Sequence, residues 1–144
     1  MSAAADPIST VLGIRASGAF PLIAAVEQGL PLAALDRVVH AVSPSDSKFA
    51  FRIIPRATLG RRRKAGAQAG GRLSAEEGTR LARLASVWAM ALAVWGGEDA
   101  ARRFMFDTHP LLDGRRPVDV VLDSELGRPV VENLLGRLQY GSAV

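Results

Sequence analysis

The stretch from residue 74 to residue 97, SAEEGTRLARLASVWAMALAVWGG, leaves this chain few folds to choose from. Leu81, Leu84, Ala85, Trp88, Ala91, Leu92 and Trp95 recur at steps of three and four, which places them on one face of a helix. Ser74 followed by Glu77 has capping-box spacing: hydroxyl and carboxylate each accept from an amide that the first turn leaves unpaired. Gly96-Gly97 supplies the stop, because glycine takes the left-handed conformation that ends a helix. About 21 residues at 1.5 Å each give a rod of roughly 30 Å, the diameter of a small domain. Its apolar part, residues 84–95, is shorter than the roughly 20 residues of a membrane span. A buried central helix is therefore predicted.

The rest of the composition agrees with helices around that rod. Apolar residues make up 49% but aromatic ones only 6%, and alanine and leucine dominate, so the predicted class is all-α. A chain of 144 residues has room for one domain or two small ones, with enough length to bury a core. No cysteine is present, which excludes a disulfide framework, a thiolate nucleophile and a thiolate metal site. The N-terminus shows no basic segment followed by an apolar one, so a cytoplasmic protein is expected. Charge divides at the central helix. Residues 1–72 hold ten Lys/Arg against four Asp/Glu, and residues 73–144 hold eight against ten. A basic half and a mildly acidic half imply two kinds of partner and a domain division at 72/73.

Taken in order, residues 1–17 are expected to be a loose arm that docks only in part. Residues 19–28 predict a short helix with Pro21 in its first turn and Gly29 as its cap. Pro31 opens a second, whose Leu32, Leu35, Val38, Val39 and Val42 form an apolar face with His40 at its edge. A third helix is expected over residues 48–54, broken by Pro55, and a basic helix follows it. A short helix, a tight break and a basic helix outline a helix-turn-helix. Its candidate DNA contacts are Arg56, Thr58, Arg61, Arg62, Arg63 and Lys64, with Gln68 as a further polar group. Arginine suits phosphate and guanine because its planar fork donates bidentately. The small, glycine-rich residues 65–71 predict a joint into the central helix.

Beyond Gly97, Glu98 and Asp99 open a helix with Ala101, Phe104 and Met105 facing inward. Residues 111–116 predict a turn, Pro117 a one-and-a-half-turn helix, and Asp123 or Ser124 the cap of the last helix, residues 125–138. Pro129 is expected to kink or restart that helix. An active site is hard to assemble from what remains. His40 and His109 are 69 residues apart with no nucleophile or second ligand spaced beside either. Asp113, Asp119, Asp123 and Glu125 fall at turns and caps, where carboxylates serve helix ends. The chain is therefore expected not to be an enzyme and to hold no metal and no cofactor.

The order of motifs resembles a known family. Residues 73–141 are similar to the toxin-binding domain of the Xre/MbcA/ParS antitoxins, through Gly97 with residues 100–103, Pro110 with Leu112, and Gly114-Arg115-x-Pro117. Gly127, Val131, Leu135-Gly136-Arg137 and Tyr140-Gly141 complete the series. Residues 54–59 and the arginines after them resemble the Xre-like helix-turn-helix these antitoxins carry, with Ile53-Ile54 where a glycine usually marks the turn. The resemblance implies an N-terminal Xre-like helix-turn-helix bundle, residues 1–72, joined to a C-terminal helical toxin-binding domain, residues 73–144.

It further implies a type II antitoxin partnered with a RES-domain toxin, one that degrades NAD or transfers ADP-ribose from it. The antitoxin would cover the toxin's NAD pocket with its C-terminal part, and the complex would repress its own operon. Asn133, Arg137 and Tyr140 share a helix face apart from the stripe of Val131, Leu134, Leu135 and Leu138. With Gln139 they are the candidate toxin contacts, offering a planar cation, amides and a phenol to a nucleotide pocket. A symmetric homodimer on operator DNA, paired through the C-terminal half, is expected, with no membrane partner. The alternative is a helix-turn-helix transcriptional regulator with no toxin partner, distinguished by whether a RES-domain reading frame adjoins its gene.

Overall fold

The amides of Ser74 and Glu77 decide where the longest element begins. The Ser74 amide donates to Glu77 Oε1 at 2.8 Å and the Glu77 amide donates to Ser74 Oγ at 3.2 Å, a closed capping box. From it runs the helix Ala75–Trp95. The computed structural model describes residues 6–66 and 70–140, and among them it shows eight α-helices, two short 3-10 turns and no strand. The helices are α1 (Pro7–Leu12), α2 (Ala19–Gln28), α3 (Leu32–Val42), α4 (Arg56–Ala65), α5 (Ala75–Trp95), α6 (Glu98–Phe106), α7 (Pro117–Asp123) and α8 (Gly127–Gln139). The chain packs as two units, one reaching to Ala82 and the other starting at Arg83, so α5 contributes residues to both. No described helix is long and apolar enough to cross a membrane.

In the first unit α1 packs on α3. The short α1 replaces the expected loose arm over residues 6–12. Asp6 caps it by accepting from the Ile8 amide at 2.9 Å, Pro7 pre-sets its first turn, and Gly13 ends it at φ +73°. Leu12 is buried, and six residues were too few for a periodic signal. The expected helix over residues 48–54 is a 3-10 turn of four residues, Phe49–Arg52. Proline at 55 disfavours helical backbone at Ile54, so the turn cannot lengthen. Phe49, Ala50, Ile53 and Ile54 are all buried, which anchors the turn by apolar contact. Where the chain enters α5, the Leu73 amide donates to the Leu30 carbonyl at 2.9 Å and Arg72 Nη1 to the Gly29 carbonyl at 3.0 Å.

In the second unit Leu84, Ala85, Val87 and Trp88 of α5 are buried, with Ser86 between them, so most of the circumference is covered there. Arg83 reaches α7, donating to the carbonyls of Val121 and Leu122 at 3.1 and 3.2 Å and so pairing two acceptors at that helix's C-terminal end. Ser86 donates its hydroxyl to Glu132 of α8 at 2.9 Å. Helices α7 and α8 cross so closely that a β-carbon at Gly127 would overlap the Val120 carbonyl. Only glycine fits there. Pro129 does not kink α8, since it sits in the first turn, where its missing amide has no helical acceptor to leave.

The core face of α5 ends earlier than its spacing implied. Leu81, Leu84, Ala85, Trp88 and Ala91 are buried, but Leu92 is half-buried and Trp95 is 42% exposed. Trp88, 1% exposed, lies with the Arg102 guanidinium 5.9 Å from its ring. Deleting a buried tryptophan side chain costs about 3–5 kcal/mol, a large share of the stability of a small domain. Trp88→Ala is expected to lose that much in urea unfolding. A loss below about 1 kcal/mol would place Trp88 outside the core.

Candidate nucleic-acid interface and partner-docking surface

Helix α4 carries its cations on two sides because only Leu59 is buried in it. Arg61 and Lys64 are three apart and exposed, on the side away from Leu59, with Arg56 exposed in the first turn. Thr58 is half-buried and accepts from Arg61 Nη2 at 3.4 Å. The Arg56 guanidinium sits 5.8 Å from the centre of the Phe51 ring, a cation–π contact to the preceding turn. Arg56, Arg61 and Lys64 are exposed and make no ion pair with any described residue.

Arg62 and Arg63 point elsewhere. Arg62 donates to Glu77 of α5, the same carboxylate that closes the capping box. Arg63 donates two bonds to Asp36 of α3, at 2.7 and 3.1 Å, in the fork geometry of a guanidinium on a carboxylate. The basic helix is thus held at neighbouring positions by α3 and α5. Arg80 of α5 adds a third tie, donating to the Ile53 carbonyl in the turn before α4 at 2.7 Å. The Glu77 carboxyl is nearly buried, and burial works to raise its pKa. Hydrogen bonds from Arg62 and the Ser74 amide, with the Arg62 charge, outweigh this and hold it below its ordinary 4.5. Gln68 lies outside the described residues.

In α8 the expected stripe is turned inward: Val131, Leu134 and Leu135 are buried and Leu138 is half-buried. Asn133, Arg137, Gln139 and Tyr140 are all exposed, Tyr140 to 81%. Two apolar residues extend that exposed side. Leu126, Val130, Asn133, Arg137 and Tyr140 follow at steps of four and three, with Leu126 78% and Val130 48% exposed. Leu111, from the 3-10 turn Pro110–Leu112, flanks a shallow cavity of about 180 Å³ with Val130, Asn133 and Arg137. Asp113 at φ +59° and Gly114 at φ +74° give the reversal that sets Leu111 there. Leu126 and Val130 share the outer face of Asn133, Arg137 and Tyr140, and packing leaves both on the wet side. Gly141 lies outside the described residues.

A second cavity, of about 390 Å³, is lined by Trp95, Phe104 and Leu138 with Arg103, Asp107 and His109 among its polar groups. The Trp95 and Phe104 rings lie 5.9 Å apart and tilted by 37°. His109 is occupied as a cap, its Nδ1 accepting from the Leu111 amide at 3.1 Å. His40 is exposed on α3. Among the described residues no three His, Asp or Glu gather as metal ligands would.

A family model described as the antitoxin Xre/MbcA/ParS C-terminal toxin-binding domain matches residues 90–141, which include α6, α7, α8 and both cavities. A second, described as the antitoxin Xre-like helix-turn-helix domain, matches residues 21–86, which include α4 and its ties. Over 132 residues the chain is 30% identical to a protein named "Antitoxin Xre" from Yersinia enterocolitica, covering 90% of this chain and 86% of that one.

The Glu77 network gives a pH dependence whose sign follows from the lowered pKa. Such a group adds stability that is complete above its unfolded value, near 4.5, and is lost as pH falls through the folded value. Glu77→Gln is expected to cost about 1–3 kcal/mol in urea melts at pH 7, since it leaves Arg62 facing a neutral amide. The gap to wild type should close as pH falls below about 4.5. A gap that is unchanged at pH 3 would mean that the carboxylate charge contributes nothing there.

Proposed function

The chain belongs to the Xre/MbcA/ParS family of antitoxins, and from that premise we propose a protein that silences a toxin by binding it and does no chemistry of its own. Its partner in this reading is a RES-domain toxin that consumes NAD, by degradation or by ADP-ribose transfer. The exposed side of α8 carries the proposal. Asn133, Arg137 and Tyr140, with Gln139, stand free of the core while the stripe beside them holds the helix in place. A pocket built for a pyrophosphate, riboses and flat rings accepts such groups: a planar cation, amides and a phenol. The C-terminal end of α8 lies over that pocket and keeps NAD out.

The second part of the reading is repression of its own operon, in the cytoplasm, through the helix-turn-helix region, residues 1–72, with the toxin-binding region as residues 73–144. Arg56, Thr58, Arg61 and Lys64 meet the operator directly, mainly at phosphates. Arg62 and Arg63, the other two members of the set, keep α4 in place through Glu77 and Asp36. One such helix reads a short half-site, so two copies act on a symmetric operator. Besides the C-terminal half, helix α2 offers them a contact: Phe20 is 83% and Ile23 48% exposed, and Glu27 is its only charge.

Two measurements test these parts separately. Arg137→Ala with Tyr140→Ala should leave the fold intact, because both side chains are exposed, and should return NAD turnover at saturating antitoxin most of the way to that of the free toxin. Full inhibition by the double variant would remove the α8 end from the NAD site. For DNA, each phosphate contact adds roughly −0.9 to the log–log salt slope. Arg56→Ala, Arg61→Ala and Lys64→Ala together should flatten it by about two to three units. Arg62→Ala should lower stability and leave the slope nearly unchanged. Equal slope changes from Arg61→Ala and Arg62→Ala would refute that division of roles.

A further inference from the structure

We propose that the cavity of Trp95, Phe104 and Leu138 is an anchor that gives the toxin its affinity, separate from the α8 end that inhibits it. This rests on the reading of the chain as a toxin-binding antitoxin. Trp95 is the last residue of α5 and leaves 42% of its surface to solvent, beside a cavity of about 390 Å³. Large aromatic side chains are buried where the core has room for them, and an exposed one beside a cavity is the arrangement of an interface hot spot. Phe104 is 8% exposed and forms the floor, 5.9 Å from the Trp95 ring.

The rim carries one charge of each sign. Arg103 and Asp107 are exposed, and neither side chain makes a hydrogen bond or ion pair with any described residue. A large apolar side chain of the toxin fills the space between the rings, and the toxin groups next to it are a carboxylate facing Arg103 and a cation facing Asp107. A small free ligand suits the place less well, since such ligands are largely enclosed and this rim stands open. Continuity points to the same partner as the α8 face. Leu138 lines the cavity from the last turn of α8, the turn that also carries Gln139 and ends at Tyr140, so a protein that wraps the end of α8 reaches the cavity as well. All of these residues fall within the stretch 90–141 that matches the toxin-binding domain.

The test measures affinity and inhibition separately, with the full chain and its purified cognate toxin. Trp95→Ala is expected to weaken toxin binding by about thirty-fold, as an interface hot spot does, while NAD turnover stays fully suppressed at saturating antitoxin. Arg137→Ala with Tyr140→Ala is expected to do the reverse at saturation, with toxin bound and NAD turnover released. Arg103→Glu and Asp107→Lys, at exposed positions, carry the test if Trp95→Ala does not fold, each weakening binding several-fold. Unchanged affinity in the variants at Trp95, Arg103 and Asp107 overturns the proposal. So does loss of inhibition at saturation by Trp95→Ala, which would make the cavity part of the inhibitory site. A change in the chain's own sedimentation with toxin affinity intact would assign the cavity to a second copy and overturn it too. A wild-type chain that fails to bind the toxin removes the toxin reading itself, and that outcome is recognised without any variant.

Discussion

One carboxylate, that of Glu77, holds the first unit's arrangement together. It closes the first turn of α5 by accepting from the Ser74 amide, and it accepts from Arg62 of α4 at the same oxygen. A capping group is normally local, and its effect stops at the end of its own helix. Here the cap also carries the charge that fixes a second helix. Because the group is nearly buried, its two donors are what make the ionised form acceptable there; removing Arg62 would leave the carboxylate with the Ser74 amide alone and no opposite charge beside it. The Arg63–Asp36 pair is more open, with both side chains about half exposed, and screening leaves it a weaker tie.

The second unit relies on close approach instead of charge. Gly127 lets α7 and α8 meet at backbone contact, Ser86 and Glu132 bridge α5 to α8, and Arg83 takes up two carbonyls where α7 ends. The inward stripe of α8 is thereby committed to the core, and Asn133, Arg137 and Gln139 face outward, with Tyr140 exposed just past the helix end. An interface built this way presents side chains from a rigid base, so little ordering is needed when a partner arrives.

The two proposed activities draw on opposite uses of the same residue type. On α4, arginines are divided between holding the helix and facing outward, and a count of cations overstates the surface charge available to DNA. On α8, Arg137 is exposed beside Asn133 and Tyr140, where a guanidinium can pair with or stack on a partner. The exposed apolar residues fall into place around this division: Phe20 and Ile23 in the first unit, Leu111, Leu126 and Val130 along α8, and Trp95 by itself at the end of α5.

The all-helical class, the bounds of α2, α3, α5, α6 and α7 to within a residue or two, and the family were legible in the residues alone. Periodicity, the Ser74–Glu77 box, the prolines at helix starts and the ordered motifs of residues 97–141 are local signals, and local signals survive into any fold. Two short elements of the first unit were not legible. Helix α1 has six residues, and the 3-10 turn Phe49–Arg52 stands where a longer helix was expected, because neither is long enough to display a period. Tertiary structure alone decided which of two equal-looking neighbours does which task. Nothing local separates Arg61 from Arg62, or Trp88 from Trp95. Arg62 is turned to Glu77 and Trp88 to the core because other parts of the chain lie there, and the same face carried about two turns further leaves Trp95 in the open.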